Sequence, residues 1–426
     1  MKIKSIKAYE ILDSRGQPTV TAITALADGS RGEASVPSGA STGSYEAMEL
    51  RDNDPQRYRG LGVLKAIGNI TDKIAPVLVG QEAADQQKID ALMIKLDNTD
   101  NKGNLGANAI LAVSLSAARA QAAAEKKPLY EYLAQFNPSH RGDYLMPVPM
   151  MNIMNGGKHA NWATDIQEYM ILPVGARSIT AAVRMCSEIY LQLKEVLKAG
   201  GYSINIGDEG GFAPDLAANE EPFKLISEAV HKAGYKAGQE VAFGIDAAAT
   251  EFFKAGKYLL KKEGREVDSS ELAAFYQNLI NKYPIVSLED IFSEDDWAGF
   301  QNFTQASKNQ VQIVGDDLYV TNPARLKRGL QEKTTNSILI KLNQIGTLSE
   351  TIEVILTAQK NRWTAVISHR SGETADDFIA DLAVAMGAGQ LKTGAPCRGE
   401  RTAKYNRLMR IEKEQAGRTT YYKFPF

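Results

Sequence analysis

Five short apolar runs follow one another in the second half of this chain, and each ends on a charged or polar side chain. Val241-Ala242-Phe243-Gly244-Ile245 ends at Asp246, Ile285-Val286-Ser287-Leu288 at Glu289 and Val311-Gln312-Ile313-Val314-Gly315 at Asp316. Ser337-Ile338-Leu339-Ile340 ends at Lys341, and Thr364-Ala365-Val366-Ile367-Ser368 at His369. The endings are 43, 27, 25 and 28 residues apart, close to the roughly thirty residues taken up by a strand, a helix and two loops. One such run is simply a buried strand followed by a surface charge. Five in succession, with chemically complementary endings, have the rhythm of a (β/α) barrel, where reactive groups crown the C-terminal ends of the strands. The long first interval contains an extra polar stretch around residues 254–270.

The first third has a different texture. Lys4–Leu12 and Thr19–Ala27 alternate as strands, the second running into the turn dipeptide Asp28-Gly29. A loop of small residues, Val36–Gly43, follows, and an alanine-rich helix is predicted from about Ala107 to Lys126. Asn137–Asp143 reads as a linker. The expected fold class is α/β: an N-terminal α+β domain over residues 1–136 and a C-terminal (β/α)8-type barrel over 143–426.

Composition narrows the classes. With 426 residues, 44% of them hydrophobic, the chain can bury a large core without disulfides or structural metal. Cys186 and Cys397 are its only cysteines and are not paired in sequence, which fits a reducing compartment. A net charge of −2 gives no global field toward nucleic acid or anionic membrane. Met1–Arg15 lacks the apolar run of a signal peptide, and no stretch reaches the ~18 apolar residues of a membrane span. The expected location is cytoplasmic. No Gly-x-x-x-x-Gly-Lys-Ser/Thr occurs, and Gly60-Leu61-Gly62 lacks the third glycine and preceding strand of a dinucleotide fingerprint.

Asp246, Glu289 and Asp316 would converge on one barrel rim, where three carboxylates repel one another and call for a counter-ion. Oxygen ligands without cysteine favour Mg²⁺, Mn²⁺ or Ca²⁺ over zinc. Lys341 is then the unusual residue. As a base near neutrality it needs its ordinary value of about 10.4 lowered by about three units. Nearby metal ions and a second lysine, Lys392, could supply that by like-charge repulsion. A base beside a divalent cation suggests proton abstraction next to a carboxylate, with cations stabilising the enediolate.

Motifs along nearly the whole chain resemble the enolase family. They are Ile11-Leu12-Asp13-Ser14-Arg15-Gly16, the Val36–Gly43 loop, Gly106–Leu111, Asn155-Gly156-Gly157-Lys158-His159, Asp165-Ile166-Gln167-Glu168 and Gly207–Pro214, then Ile340–Thr347, Ser368–Thr374 and Lys392–Arg398. The resemblance implies a lyase interconverting 2-phosphoglycerate and phosphoenolpyruvate. It implies Lys341 as general base, Glu209 as general acid and Glu168 as its partner carboxylate. Asp246, Glu289 and Asp316 would hold a tight Mg²⁺, and Ser38 would help hold a second that arrives with substrate. Lys392 would face the substrate carboxylate. Arg370 and Ser371 would bind phosphate, with His159, Gln167 and His369 beside the substrate. A homodimer or an octamer of dimers is implied, with Arg15 near the dimer contact, and an RNA-degrading assembly or surface partners are left open. No direct nucleic-acid contact is expected. Leu61, Asn161–Thr164 and Gly399 depart from the family pattern, and none removes a catalytic group. A dehydratase or racemase of the same superfamily would need no phosphate site, and a scaffold would be free to lose Lys341, Glu209 or a metal ligand.

Overall fold

The computed structural model describes residues 1–39 and 43–426. Three strands, β1 (Ile3–Leu12), β2 (Pro18–Leu26) and β3 (Arg31–Ser35), form an antiparallel sheet in sequence order. Helix α1 (Ala107–Ala124) lies across it and is buried along almost its entire length. Its alanines keep it slim, and Gly32 on β3 allows the closest approach. A Cβ at Gly32 would stand 2.2 Å from Ala120 N and 2.3 Å from Ser116 O. The predicted strands and helix are therefore present, with α1 ending two residues early.

The remainder is a closed barrel. Its strands are β4 (Val148–Asn155), β5 (Glu168–Leu172), β6 (Ala242–Asp246), β7 (Ile285–Glu289), β8 (Gln312–Gly315), β9 (Ser337–Ile340), β10 (Thr364–Ser368) and β11 (Gly389–Lys392). All five apolar runs became strands at the expected places. They close in the order β7-β8-β9-β10-β11-β4-β5-β6. One strand departs from a uniform (β/α)8 pattern: β5 runs antiparallel to both β4 and β6. Between β4 and β5 the chain turns back on itself through a short 3-10 turn, Gly157–Ala160. Helices include α2 (Ile179–Ala199), α3 (Glu221–Lys232), α4 (Leu348–Lys360) and α5 (Gly399–Glu414). The polar stretch in the long interval after Asp246 is a small antiparallel meander, Phe253–Lys254, Lys257–Leu260 and Arg265–Val267.

Val148, Met150, Met170, Leu172, Ala242, Val314, Leu339 and Val366 fill the barrel interior, and Phe424 from the C-terminal segment packs against them. That segment is held at the floor by Tyr422 N donating to Met146 O (2.9 Å) and Tyr421 OH to Pro173 O (3.1 Å). Among the described residues, no helix is long and apolar enough to cross a membrane.

Candidate active site

Strand register builds the rim. Asn155 is opposite Glu168, Glu168 opposite Asp246, and Asp246 opposite Glu289. Because β5 is reversed, its first residue shares the rim with the last residues of its neighbours. Asp316 and Lys341 follow directly on β8 and β9, and Ser368 pairs with Lys392 across β10 and β11. One pocket is lined by His159, Gln167, Glu168, Glu209, Asp246, Asp316, Lys341, His369, Arg370, Ser371 and Lys392. Glu289 is fully buried beneath it.

Lys392 spans the barrel mouth. Its ammonium contacts Asp246 Oδ2 (2.9 Å), Glu289 Oε1 (2.9 Å) and Glu168 Oε2 (3.2 Å). Burial alone would depress the Lys392 amine, but these carboxylates raise it well above the ordinary lysine value. One ammonium cannot balance three carboxylates. Burial, then repulsion from Asp246, pushes Glu289 well up, and its Oε2 is buried with no hydrogen-bond partner. An oxygen-only donor set with an unpartnered buried oxygen and surplus negative charge fits a hard divalent cation. A second group, Asp290, Asp316 and Asp317, brings carboxylate oxygens within 4.8 Å of one another. Asp290 accepts from Asp316 N (2.9 Å) and Asp317 N (2.8 Å), so it shapes the turn that presents Asp316.

Lys341 pairs directly with Asp316. The expected depression of its amine is not supplied by the protein's own charges. Burial is the largest influence and pushes it down, but Asp316, Asp317 and Glu289 together outweigh burial and Arg370, and the amine rises above its ordinary value. The like charge opposing Asp316 comes chiefly from Arg370, not from Lys392 as the sequence suggested.

On the other side, glycines let residues 207–211 fold tightly onto β4. A Cβ at Gly211 would lie 2.1 Å from Asn155 Oδ1. Glu209 is thereby buried, accepting from Asn152 Nδ2 (3.1 Å) at Oε2 and Ser371 Oγ (3.0 Å) at Oε1. His159 Nδ1 stands 3.8 Å from Glu209 Oε1 and 3.9 Å from Glu168 Oε1. Burial, then repulsion from Glu209, pushes Glu168 well above the usual carboxylate range. The two acids titrate as a pair: for Glu209 burial acts upward, but the nearby His369, His159 and Arg401 outweigh it and hold the acid well below the usual range while Glu168 is pushed up.

Arg370 lines the pocket but its guanidinium contacts Glu46 (2.9 and 3.2 Å) and Asn343 Oδ1 (3.0 Å). Gln167 is buried on the pocket wall. Ser38 is bridged through its backbone to Gly372 (2.8 and 2.9 Å), and its hydroxyl donates to Glu49 (3.0 Å) and accepts from Arg51 (2.9 Å). Within the Val36–Gly43 loop, Ala40, Ser41 and Thr42 lie outside the described residues. In the atypical segment, Asn161 and Trp162 adopt left-handed backbone, and Lys261 lies over the Trp162 ring.

Sequence reading missed Asn152, Glu46, Arg401, Lys404 and Glu373. Arg401 is fully buried and donates to His369 Nδ1, Arg370 O and Ser371 O (2.6 Å each) and to Asp208 O (3.1 Å). A signal for it existed. Arg401, Lys404, Tyr405, Leu408 and Ile411 share one buried stripe of α5 at helical spacing, so two cations occupy positions normally given to apolar residues.

Two families match the chain. Residues 3–133 match the family described as "Enolase, N-terminal domain", and residues 143–424 match "Enolase, C-terminal TIM barrel domain". Together they cover almost the whole sequence, two sections in the order that the sheet and barrel follow, so this chain belongs to the enolase family of lyases.

Proposed function

We propose that the protein is a phosphopyruvate hydratase, dehydrating 2-phosphoglycerate reversibly to phosphoenolpyruvate. The observation that carries this reading is topological. Lys341 follows β9 and Glu168 opens β5, four strands away around an eight-strand ring. A base and an acid pair therefore face each other across the mouth, the arrangement needed to take a proton from one side of a C2–C3 unit and release hydroxide on the other.

In this reading Lys341 removes the C2 proton in the state where Asp316 no longer holds its ammonium. Lys392 binds the substrate carboxylate. Hydroxide leaves poorly, so Glu209, backed by the proton of its partner Glu168, protonates it as it departs. Arg370 exchanges Glu46 for the substrate phosphate, a planar fork well matched to phosphate oxygens, and Ser371 lies beside it. His159, Gln167 and His369 line the substrate. Asp246, Glu289 and Asp316 would hold Mg²⁺, which when bound supplies positive charge against the charge building on the substrate carboxylate. For Ser38 to serve a second ion, its hydroxyl must turn from Glu49 and Arg51. The protein would work in glycolysis and gluconeogenesis as a cytoplasmic homo-oligomer.

Ultraviolet absorbance of phosphoenolpyruvate tests the reading. With 2-phosphoglycerate and Mg²⁺ the signal should rise, stop on addition of a chelator and resume with excess Mg²⁺. Faster dehydration of an unphosphorylated hydroxy acid would refute it. Glu209→Gln should lower elimination by about 10²–10³-fold while C2 proton exchange with solvent persists. Loss of both together would mean that Glu209 is not the acid.

A further inference from the structure

His369 projects from the end of β10 between two groups of fixed hydrogen-bonding character. On one side is the Arg401 guanidinium, whose Nη1 lies 2.6 Å from His369 Nδ1. On the other is Glu209, whose Oε2 lies 3.6 Å from His369 Nε2. Arginine can only donate, and it stays protonated in proteins. His369 Nδ1 must therefore accept, which leaves the ring proton on Nε2, the nitrogen that faces Glu209.

We infer that Arg401 is a positioning residue that locks His369 as its neutral Nε2–H tautomer and so turns its ring N–H toward Glu209 Oε2. The consequence falls on Glu209. Its Oε2 already accepts from Asn152 Nδ2 (3.1 Å). The His369 Nε2–H faces the same oxygen from 3.6 Å, beyond hydrogen-bond length, so Arg401 sets which side of the ring dipole the acid meets.

The lock is built into the packing. Arg401 is fully buried, its Nη1 also donates to Arg370 O (2.6 Å), and its Nη2 donates to Ser371 O (2.6 Å) and Asp208 O (3.1 Å). Its Nε stands 3.4 Å from Glu400 Oε1. The guanidinium is therefore held by the 369–371 loop and the 208–211 loop together and cannot turn away from the ring. The charges acting on His369 are Glu209, Arg401, Lys392 and Lys341. Burial, aided by the three cations, outweighs Glu209 and keeps the ring well below the ordinary histidine range. An imidazolium would have to place a proton against a guanidinium.

The inference deepens the proposed acid role of Glu209, but its test needs no turnover, so it stands or falls separately from the substrate assignment. The full-length protein is labelled with ¹⁵N-histidine and read by long-range ¹H–¹⁵N correlation. The sequence has only four histidines, and His369→Gln assigns the resonance by its disappearance. Between about pH 5.5 and 8.5 His369 should show a protonated Nε2 and an unprotonated, hydrogen-bonded Nδ1 throughout. In Arg401→Met the ring should become a tautomer mixture that titrates nearer its ordinary value of about 6.5. Arg401→Lys, which retains a donor, should keep more of the Nε2–H form. A wild-type ring that is Nδ1–H or doubly protonated overturns the inference, as does an unchanged pattern in Arg401→Met. If that variant fails to fold, the wild-type spectrum alone decides.

Discussion

Replacing Lys341 with alanine should reduce kcat/KM toward 2-phosphoglycerate by about four orders of magnitude, the upper end for loss of a positioned base. Proton exchange at C2 should disappear with it. That double loss separates Lys341 from Glu209, whose glutamine variant keeps exchange. With Mg²⁺ saturating, the effect on folding should be small by comparison, because a divalent cation can replace the buried partner that Asp316 loses. Asp316 keeps Gln344 Nε2 at 2.9 Å. The measurements are steady-state rates and deuterium wash-in at C2, with Mg²⁺ saturating. Turnover within about tenfold of the parent protein would remove Lys341 from the role of base, and the proposed mechanism with it.

The second large effect is on stability. Lys404 is almost completely buried and donates to Glu373 Oε2 (2.8 Å), Thr374 O (2.6 Å) and Glu400 O (2.7 Å). Glu373 in turn accepts from Arg370 N (3.2 Å) and Thr374 N (3.0 Å). This pair braces the loop carrying His369, Arg370 and Ser371 from beneath. Lys404→Met should cost about 3–5 kcal/mol, because it strands a buried carboxylate. KM should also rise as the loop loosens. Adding Glu373→Gln should restore part of the stability by removing the unpaired charge. Denaturant unfolding of the single and double variants provides the test, and a single variant within about 1 kcal/mol of the parent would show that the pair is not a brace.

Much of the barrel was legible because five of its strands run in one direction, with the apolar stretch first and the reactive residue last. Three strands hid from that pattern, Gly389–Lys392 because Leu391 is its one large apolar residue. Val148–Asn155 is buried throughout and ends on asparagine. Glu168–Leu172 places its acid before the apolar stretch because it runs the other way. Glu168 was accordingly reached only through family resemblance. The direct pairing of Lys341 with Asp316 was missed for another reason. Which neighbour lies nearest the amine is a matter of distance that composition and spacing do not encode. Arg401 and Lys404 escaped because α5 is strongly polar, and two inward cations are easily lost among outward ones.

The position of Phe424 has a consequence for traffic. With the interior filled and that ring packed at the lower end, the barrel axis is closed to traffic. Substrate, product and displaced water pass by way of the rim, so a contact that holds the rim loops, Glu46 against Arg370 among them, slows arrival and departure alike.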